Sequence, residues 1–534
     1  MVFGSPAAHL PSMRHVTVTH RICMTLLLVA SAARPGVAQR VPRDVAPVPP
    51  ANAIEAAVRT LARSPRTAHD RQLAQTVVRF YADRQFAVAW VNERGFTPAA
   101  LSLQQAMATA AEHGLDPRAY PFPQLDSSTP SARARADVHL SFAALRFAQD
   151  LGWGLVRPGD VHRDHAYRQR AFEGDSLLHA WFDAPNAGAA LLLTTPSSPG
   201  YARLHRALQL LRTISARGGW QPMSAGPALR IGSTGARVQE LRVRLAALGD
   251  LDSTHMSEGL FDDTVAAAVA RFQQRHGIVA DSVFGTRSQA EMNVPVVARM
   301  RQVALGMERV RWLPPVDSGR WITVNLADQH AFVVEEGRAV FDTRVVIGRS
   351  TDKTPMFVDT LTNIVLNPAW NVPPSIAAKE IWPQVRRDPT YLARHHMVRV
   401  DGGIQQVPGP WNSLGQIAFM FPNRFNVYMH DTPAKELFDS PDRTHSHGCI
   451  RVHRPHELAA LLLERDGWTR ARLDSTIATG TRTVVWLRTP VPVRITYATA
   501  FVSDEGTLQF RRDVYGRDAL LQTVLDRERG RTSP

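Results

Sequence analysis

The chain has 534 residues, of which 44% are hydrophobic and 21% charged. That length exceeds what one hydrophobic core usually holds, and the balance is globular, so several folded units are expected and a fibrous or wholly disordered chain is excluded. Sixty-two basic residues face 48 acidic ones, giving a net charge of +14 that is almost wholly arginine, since Lys353, Lys379 and Lys435 are the only lysines. Such a balance suits an acidic partner: nucleic acid, a membrane surface or an anionic wall polymer.

Residues 1–38 hold Arg14, Arg21 and Arg34 and no acidic residue, and the apolar run 22–33 is followed by Pro35-Gly36-Val37-Ala38. A basic stretch, a short apolar run and small residues, in that order, read as a secretory signal peptide; the run is shorter than the roughly 20 residues of a membrane span. The expectation is an exported protein without a transmembrane segment after cleavage, its net charge lowered to +11, with nucleic acid dropping out as a partner. Cys23 lies in the leader, which leaves Cys449 as the one thiol of the processed chain. A lone thiol in an oxidising compartment is either buried or chemically used.

Residues 39–52, rich in proline and valine, read as a linker, and 53–220 as a helical scaffold domain. Within it, Thr97-Pro98 supplies a cap and a first-turn proline, Leu101, Leu103, Met107 and Ala111 follow, and Gly114 closes the helix. A second helix is expected over 137–151, with Leu140, Leu145 and Phe147 on or near one face, and no acid–base constellation is apparent here. Residues 226–293 form a separate unit. Val238, Leu241, Leu245 and Leu248 make one helical stripe ended by Gly249. Asp262 caps a second helix with the stripe Val265, Val269 and Phe272, ended by Gly277. This text resembles the small three-helix peptidoglycan-binding module of secreted cell-wall enzymes; Ser282 stands where that family usually has glycine, so the turn before Phe284-Gly285 is expected to differ.

From about 319 the period switches to two, with Ile322, Val324 and Leu326 facing one way. His330–Glu335 and 339–347 flank Glu336-Gly337, a hairpin signal. Further strand-like runs are 364–366, 425–430 and 483–487. A proline-interrupted stretch at 372–408 reads as an insertion over the sheet, a lid of the kind that gates substrate entry. Residues 490–534 are set apart as a C-terminal extension.

Strand parity places Tyr428 and His430 on one face, with Val427 and Met429 turned into the core. Ser446-His447-Gly448-Cys449 then brings a histidine, a flexible residue and a thiol into four positions. Thiol chemistry needs a nearby imidazole to take the proton, and attack on a carbonyl needs backbone N–H donors for the oxyanion, which a glycine turn can present. Arg451, at i+2 from Cys449, offers a fork that fits a carboxylate. Residue types alone leave open whether His430 or His447 is the base.

The string His430, a gap of 19 residues, then Ser446-His447-Gly448-Cys449-Ile450-Arg451 resembles the signature of the L,D-transpeptidases (YkuD-type catalytic domain). The resemblance covers 319–489 and includes Gly348, Thr354-Pro355, Trp370-Asn371-Val372-Pro373, Asn412, Phe421-Pro422-Asn423 and His430-Asp431-Thr432-Pro433. Together with the scaffold and binding module, the layout is similar to the large, YcbB-like branch with a lid; Ala418 departs from it, since that branch commonly has a lysine there. The resemblance implies a multidomain α+β protein with a mostly-β catalytic domain. It implies Cys449 as nucleophile, His430 as general base, His447 as the motif histidine, Gly448 and Cys449 as N–H donors, Ser446 as site-shaping, and Arg451 as anchor or carboxylate binder. Tyr428 as a site residue follows from parity alone. The implied reaction joins a tetrapeptide donor stem, as a cysteine thioester, to the meso-diaminopimelate amine of another stem, forming a 3→3 cross-link with release of D-alanine. Water as acceptor would make it a carboxypeptidase, and a lipoprotein lysine would make it an anchoring enzyme. The implied chemistry uses no metal or cofactor, the implied compartment is the periplasm, and carbapenems are expected to acylate the thiol.

Two rival readings use the same text. His430, His445, His447, Cys449, His453 and His456 are possible zinc ligands of a cell-wall peptidase or amidase, although no H-E-x-x-H pattern accompanies them. The other rival is a non-catalytic peptidoglycan-binding protein.

Overall fold

The computed structural model describes residues 47–532 apart from 66, 127–128, 257 and 316–318. The expected signal peptide and most of the expected linker lie outside the described residues, all of which fall within one unit, 46–534. No helix among the described residues is long and apolar enough to cross a membrane.

The scaffold begins with α1 (Ala51–Arg63), α2 (Ala68–Asp83), α3 (Pro98–Ala108) and α4 (Pro130–Trp153). Thr97 caps α3 by accepting the Ala100 N–H, and Gly114 ends the segment at φ +73° after a 3₁₀ turn at Thr109–His113. Leu103 and Met107 are buried, whereas Leu101, two positions from Leu103 and so on the other side of the helix, is exposed. The helix expected over 137–151 is longer and is enclosed on nearly every side. Its Asp137 is fully buried and accepts the N–H groups of Ala89, Trp90 and Val91 and the Tyr81 hydroxyl at 2.6 Å. That carboxyl ties a loop to the core.

Helix α5 (Pro199–Ala216) leads to the small module of α6 (Ala236–Ala247), α7 (Asp263–Arg275) and α8 (Thr286–Met292). The two expected stripes pack together, with Val238, Leu241, Leu245, Val265, Val269 and Phe272 completely buried. Asp262 caps α7 by accepting the Val265 N–H at 3.0 Å. At the divergent turn, Ser282 adopts φ +59°, so the left-handed conformation suited to glycine is kept without one. Helix α9 (Val296–Arg311) follows the module in the chain, and its last residue ties it to the scaffold. The fully buried Arg311 donates to Leu151 O, to His113 O at 2.6 Å, to the Tyr201 hydroxyl and to Glu308, so one guanidinium bonds α4, the turn after α3, α5 and α9.

The catalytic region contains β1 (Arg320–Asn325), β2 (His330–Glu335), β3 (Arg338–Gly348), β4 (Phe357–Leu366), β5 (Trp370–Asn371), β6 (Met397–Val400), β7 (Gly403–Gln406), β8 (Ile417–Met420), β9 (Met429–His430), β10 (Thr444–Ser446), β11 (Ile450–Val452) and β12 (Thr483–Thr496). The main sheet is ordered β10-β3-β11-β9-β8-β4-β12-β1-β2, and β2 pairs again with β3, so the pairings close on themselves. Ile322, Val324 and Leu326 face its core. Glu336 and Gly337 both have positive φ, the conformation of a two-residue hairpin turn whose twist matches its strands.

The structure corrects three expectations. The run 425–430 is paired only at Met429–His430, because the Asn423 side chain accepts the N–H groups of Phe425 and Val427 and donates to Val427 O, winding those residues into a turn. Strand β12 continues past 489 to Thr496 and pairs with β1 over its last four residues, so the sheet includes residues expected to lie beyond it. The C-terminal extension is integral: after β12, β13 (Ala500–Val502) and β14 (Leu508–Phe510) pack Ala500 and Phe510 against α5 and α9, and α10 (Arg517–Thr532) follows. The insertion at 372–408 folds as its own layer, with the sheet order β5-β7-β6 and a core of Val372, Ala377, Ile381, Met397 and Ile404.

Two variants test this account by denaturant unfolding. Ser282→Gly relieves a left-handed side-chain residue and is expected to stabilise the module by about 1 kcal/mol. Arg311→Met leaves Glu308 and three acceptors buried without their donor and is expected to cost about 3–5 kcal/mol.

Candidate functional site

Strand β10 pairs in parallel with the end of β3, and β11 pairs antiparallel with the same strand, so residues 447–449 must reverse the chain between them. The reversal rests on Gly448 at φ +114°, a region open to glycine and strained for other residues. Ser446 closes the turn by donating its hydroxyl to Cys449 O at 2.5 Å and accepting the Gly448 N–H at 3.1 Å. From behind, the Thr354 hydroxyl donates to Gly448 O at 2.8 Å and accepts the Gly348 N–H at 3.0 Å. Gly348 is required there, since a Cβ would lie 2.1 Å from Asp352 O. The C-terminal extension reinforces the same loop: the Tyr515 hydroxyl donates to Gly348 O, and Arg517 donates to Thr354 O at 2.8 Å.

Strand β9 runs parallel to β11 with His430 opposite Arg451. The parity reading holds: Val427 and Met429 enter the core, while the Tyr428 and His430 rings lie 5.7 Å apart on the other face. The Nδ1–H of His430 donates to Asp431 O at 2.5 Å, which fixes the tautomer and leaves the Nε2 lone pair open. Burial, then the Arg451 charge, pushes the His430 pKa down to about 4, so the imidazole is neutral at pH 7. Burial pushes the Cys449 thiol up, against a smaller pull from the Tyr428 backbone and Arg451. The Sγ–H donates to Asn426 O at 3.8 Å, and among the described residues no hydrogen bond joins Sγ to an imidazole. The resting site therefore pairs a neutral thiol with a neutral base, and proton transfer must accompany attack.

Cys449, His430, His447, Ser446, Tyr428 and Arg451 line one cleft of about 750 Å³, roofed by Trp370–Ile376, Lys379 and Glu380 of the insertion. Arg451 makes no ion pair among the described residues, and its buried Nε has no partner. An unpaired, mostly enclosed guanidinium is suited to a carboxylate. One expectation needs correction: the Gly448 N–H is occupied by Ser446, and of the two amides expected at the oxyanion position only that of Cys449 is without a hydrogen-bond partner among the described residues. Ala418 pairs with His430 and is buried, and the lysine lining this cleft is Lys379, from the insertion.

Four charged residues of the site, Lys379, Glu380, Arg349 and Asp352, escaped sequence reasoning. Glu380 accepts the His447 Nε2–H at 2.6 Å and faces Arg349 at 3.4 Å, and Arg349 is held by Asp352 at 2.7 Å. No local pattern marks Glu380; it reaches His447 only because the insertion folds back. Of the candidate zinc ligands, His430, His447 and Cys449 share the cleft, while His453 packs against Phe438 and His456 faces Asp474; no three His, Cys, Asp or Glu side chains among the described residues form a metal-binding group.

Residues 319–493 match the family model of the "L,D-transpeptidase catalytic domain", residues 75–208 that of the "Scaffold domain", and residues 234–292 that of the "Putative peptidoglycan binding domain". A Haemophilus influenzae protein described as "Putative L,D-transpeptidase" is 28% identical over 239 residues, which are 41% of this chain and 48% of that protein. The chain thus spans about half the length of the curated relative it matches. Among solved structures, an L,D-transpeptidase from Xylanimonas cellulosilytica DSM 15894 has 17% identity over 51% of this chain and 98% of that one, with a TM-score of 0.18. One from Stackebrandtia nassauensis has 16% identity over 51% and 97%, with a TM-score of 0.21.

Because the resting thiol is protonated, alkylation of Cys449 by iodoacetamide should be slow at pH 7 and accelerate only above the ordinary thiol range. A reagent-accessible thiolate at neutral pH, seen as a flat rate from pH 7 to 9, would contradict this electrostatic picture.

Proposed function

We propose that this chain, which carries an L,D-transpeptidase catalytic domain, a scaffold domain and a peptidoglycan-binding domain, is an exported peptidoglycan L,D-transpeptidase acting in the periplasm. The observation that carries the reading is the convergence of Cys449, His430 and an unpaired Arg451 in one half-enclosed cleft under a lid.

In the proposed reaction the Cys449 sulfur attacks the carbonyl carbon of the bond between meso-diaminopimelate and the terminal D-alanine of a tetrapeptide stem. The thiol proton passes to His430 Nε2 as the S–C bond forms, and the new oxyanion faces the Cys449 N–H. Collapse breaks the C–N bond, and His430 returns the proton to the departing D-alanine amine. The side-chain amine of a second stem then attacks the thioester, loses a proton through His430, and the sulfur leaves as the thiol, completing a 3→3 cross-link. Water in place of the amine gives hydrolysis, a carboxypeptidase outcome.

Arg451 supports this reading twice. Its fork suits a stem carboxylate, and its charge is one cause of the low His430 pKa. A carboxylate seated on it would offset that charge, so the base strengthens when substrate is bound. The basic balance, +14 for the whole chain and still positive without residues 1–38, also suits an acidic, carboxylate-bearing polymer.

Incubation with a disaccharide-tetrapeptide should release D-alanine, and Cys449→Ala should abolish release while changing stability by less than about 1 kcal/mol. Intact-mass spectrometry after meropenem should find one adduct on the peptide containing Cys449. At substrate concentrations well below KM, release should persist on acidification well below pH 6.5 and fall only near pH 4, as His430 of the free enzyme becomes protonated. A wild type that neither releases D-alanine nor takes the adduct would point instead to a non-catalytic binding protein.

A further inference from the structure

The lid touches the nucleophile turn through Glu380. This residue sits in a π turn, Ala377–Ile381, whose ends Ala377 and Ile381 are buried in the lid core. The wider turn directs Lys379 and Glu380 outward, and both line the cleft. Glu380 Oε1 accepts the His447 Nε2–H at 2.6 Å, and it is the only hydrogen-bond partner of that ring among the described residues. His447 lies between Ser446 and Gly448, the residues that close the turn carrying Cys449.

A second contact supports the first. Arg349 reaches Glu380 at 3.4 Å, is oriented by Asp352 at 2.7 Å, and donates its backbone N–H to Ser446 O at 2.9 Å. Both neighbours of Glu380 are therefore fastened to the turn. The charged groups facing this point are Arg349 and Asp352 from the loop after β3, His447 from the turn, and Glu380 from the lid. Partial burial works to raise the Glu380 carboxyl, and the His447 and Arg349 contacts outweigh it, holding the carboxyl below its usual range. It is thus ionised at neutral pH.

We propose that Glu380 is a positioning residue for the reaction of Cys449: by accepting the His447 N–H it ties the lid to the nucleophile turn and fixes that turn's orientation when the lid covers the donor stem. This rests on the proposed L,D-transpeptidase activity. His447 then holds the turn to the lid, while His430, deeper in the cleft, exchanges the proton.

The test compares Glu380→Ala with Glu380→Gln, whose amide oxygen can still accept from His447. Glu380→Ala should lower kcat for D-alanine release about tenfold with KM within about twofold, the scale of one lost charge-assisted hydrogen bond. Glu380→Gln should recover most of the loss. Hydrogen–deuterium exchange should speed up in the lid and at 446–449 in Glu380→Ala, with the scaffold unchanged. Wild-type kcat in Glu380→Ala, a loss carried wholly by KM, or equal losses in the two variants would overturn the proposal. Should the wild type itself release no D-alanine, the proposed function falls, and the exchange rates alone then decide whether Glu380 ties the two elements.

Discussion

The site depends on the fixing of one carbonyl. Gly448 turns its backbone through φ +114° to join two strands that both pair with β3, and a turn of that kind holds only while its polar groups are satisfied from outside. Thr354 supplies the donor for Gly448 O and accepts the Gly348 N–H with the same hydroxyl. Tyr515 and Arg517, far along the chain, brace the loop that carries Thr354. The position of the sulfur is thereby linked to the C-terminal segment, which is anchored in turn by the packing of β13 and β14 against α5 and α9.

This linkage explains why so large a chain surrounds a small chemical centre. The buried Arg311 binds carbonyl and hydroxyl groups from three parts of the scaffold to the helix that leads into the sheet. The pairing of β2 with both β1 and β3 then links the first strands of the sheet to the strand that carries the turn. The insertion has a core of its own and meets the turn through polar contacts, the arrangement expected of an element that moves as a body.

The sequence made most of the local architecture legible. Positions whose meaning is set by near neighbours, such as the stripe of Val238, Leu241 and Leu245, the cap at Asp262 and the Glu336-Gly337 hairpin, fold as their patterns indicate. The parity of Tyr428 and His430 held although the strand expected around them did not, because Asn423 captures the backbone at Phe425 and Val427 without changing which residues enter the core. Contacts between distant segments were opaque. Nothing in the composition of residues 510–517 announces that Tyr515 reaches Gly348, and nothing near Glu380 announces His447. The occupied Gly448 N–H was likewise invisible, since a serine two residues away can cap a turn or point elsewhere with equal local plausibility.

The electrostatics of the cleft reconcile two demands on a lone thiol. A thiolate reacts with oxidants as readily as with acyl groups, so a cysteine kept ionised in oxidising surroundings is readily converted to sulfenic acid or mixed disulfides. Here burial keeps the sulfur protonated, and burial together with Arg451 keeps His430 neutral and weakly basic. A carboxylate seated on Arg451 would free His430 to act as a stronger base and would at the same time remove that charge's smaller pull on the Cys449 thiol. One guanidinium therefore acts on both partners of a proton transfer in opposite senses, weakening the base while making the thiol a stronger acid.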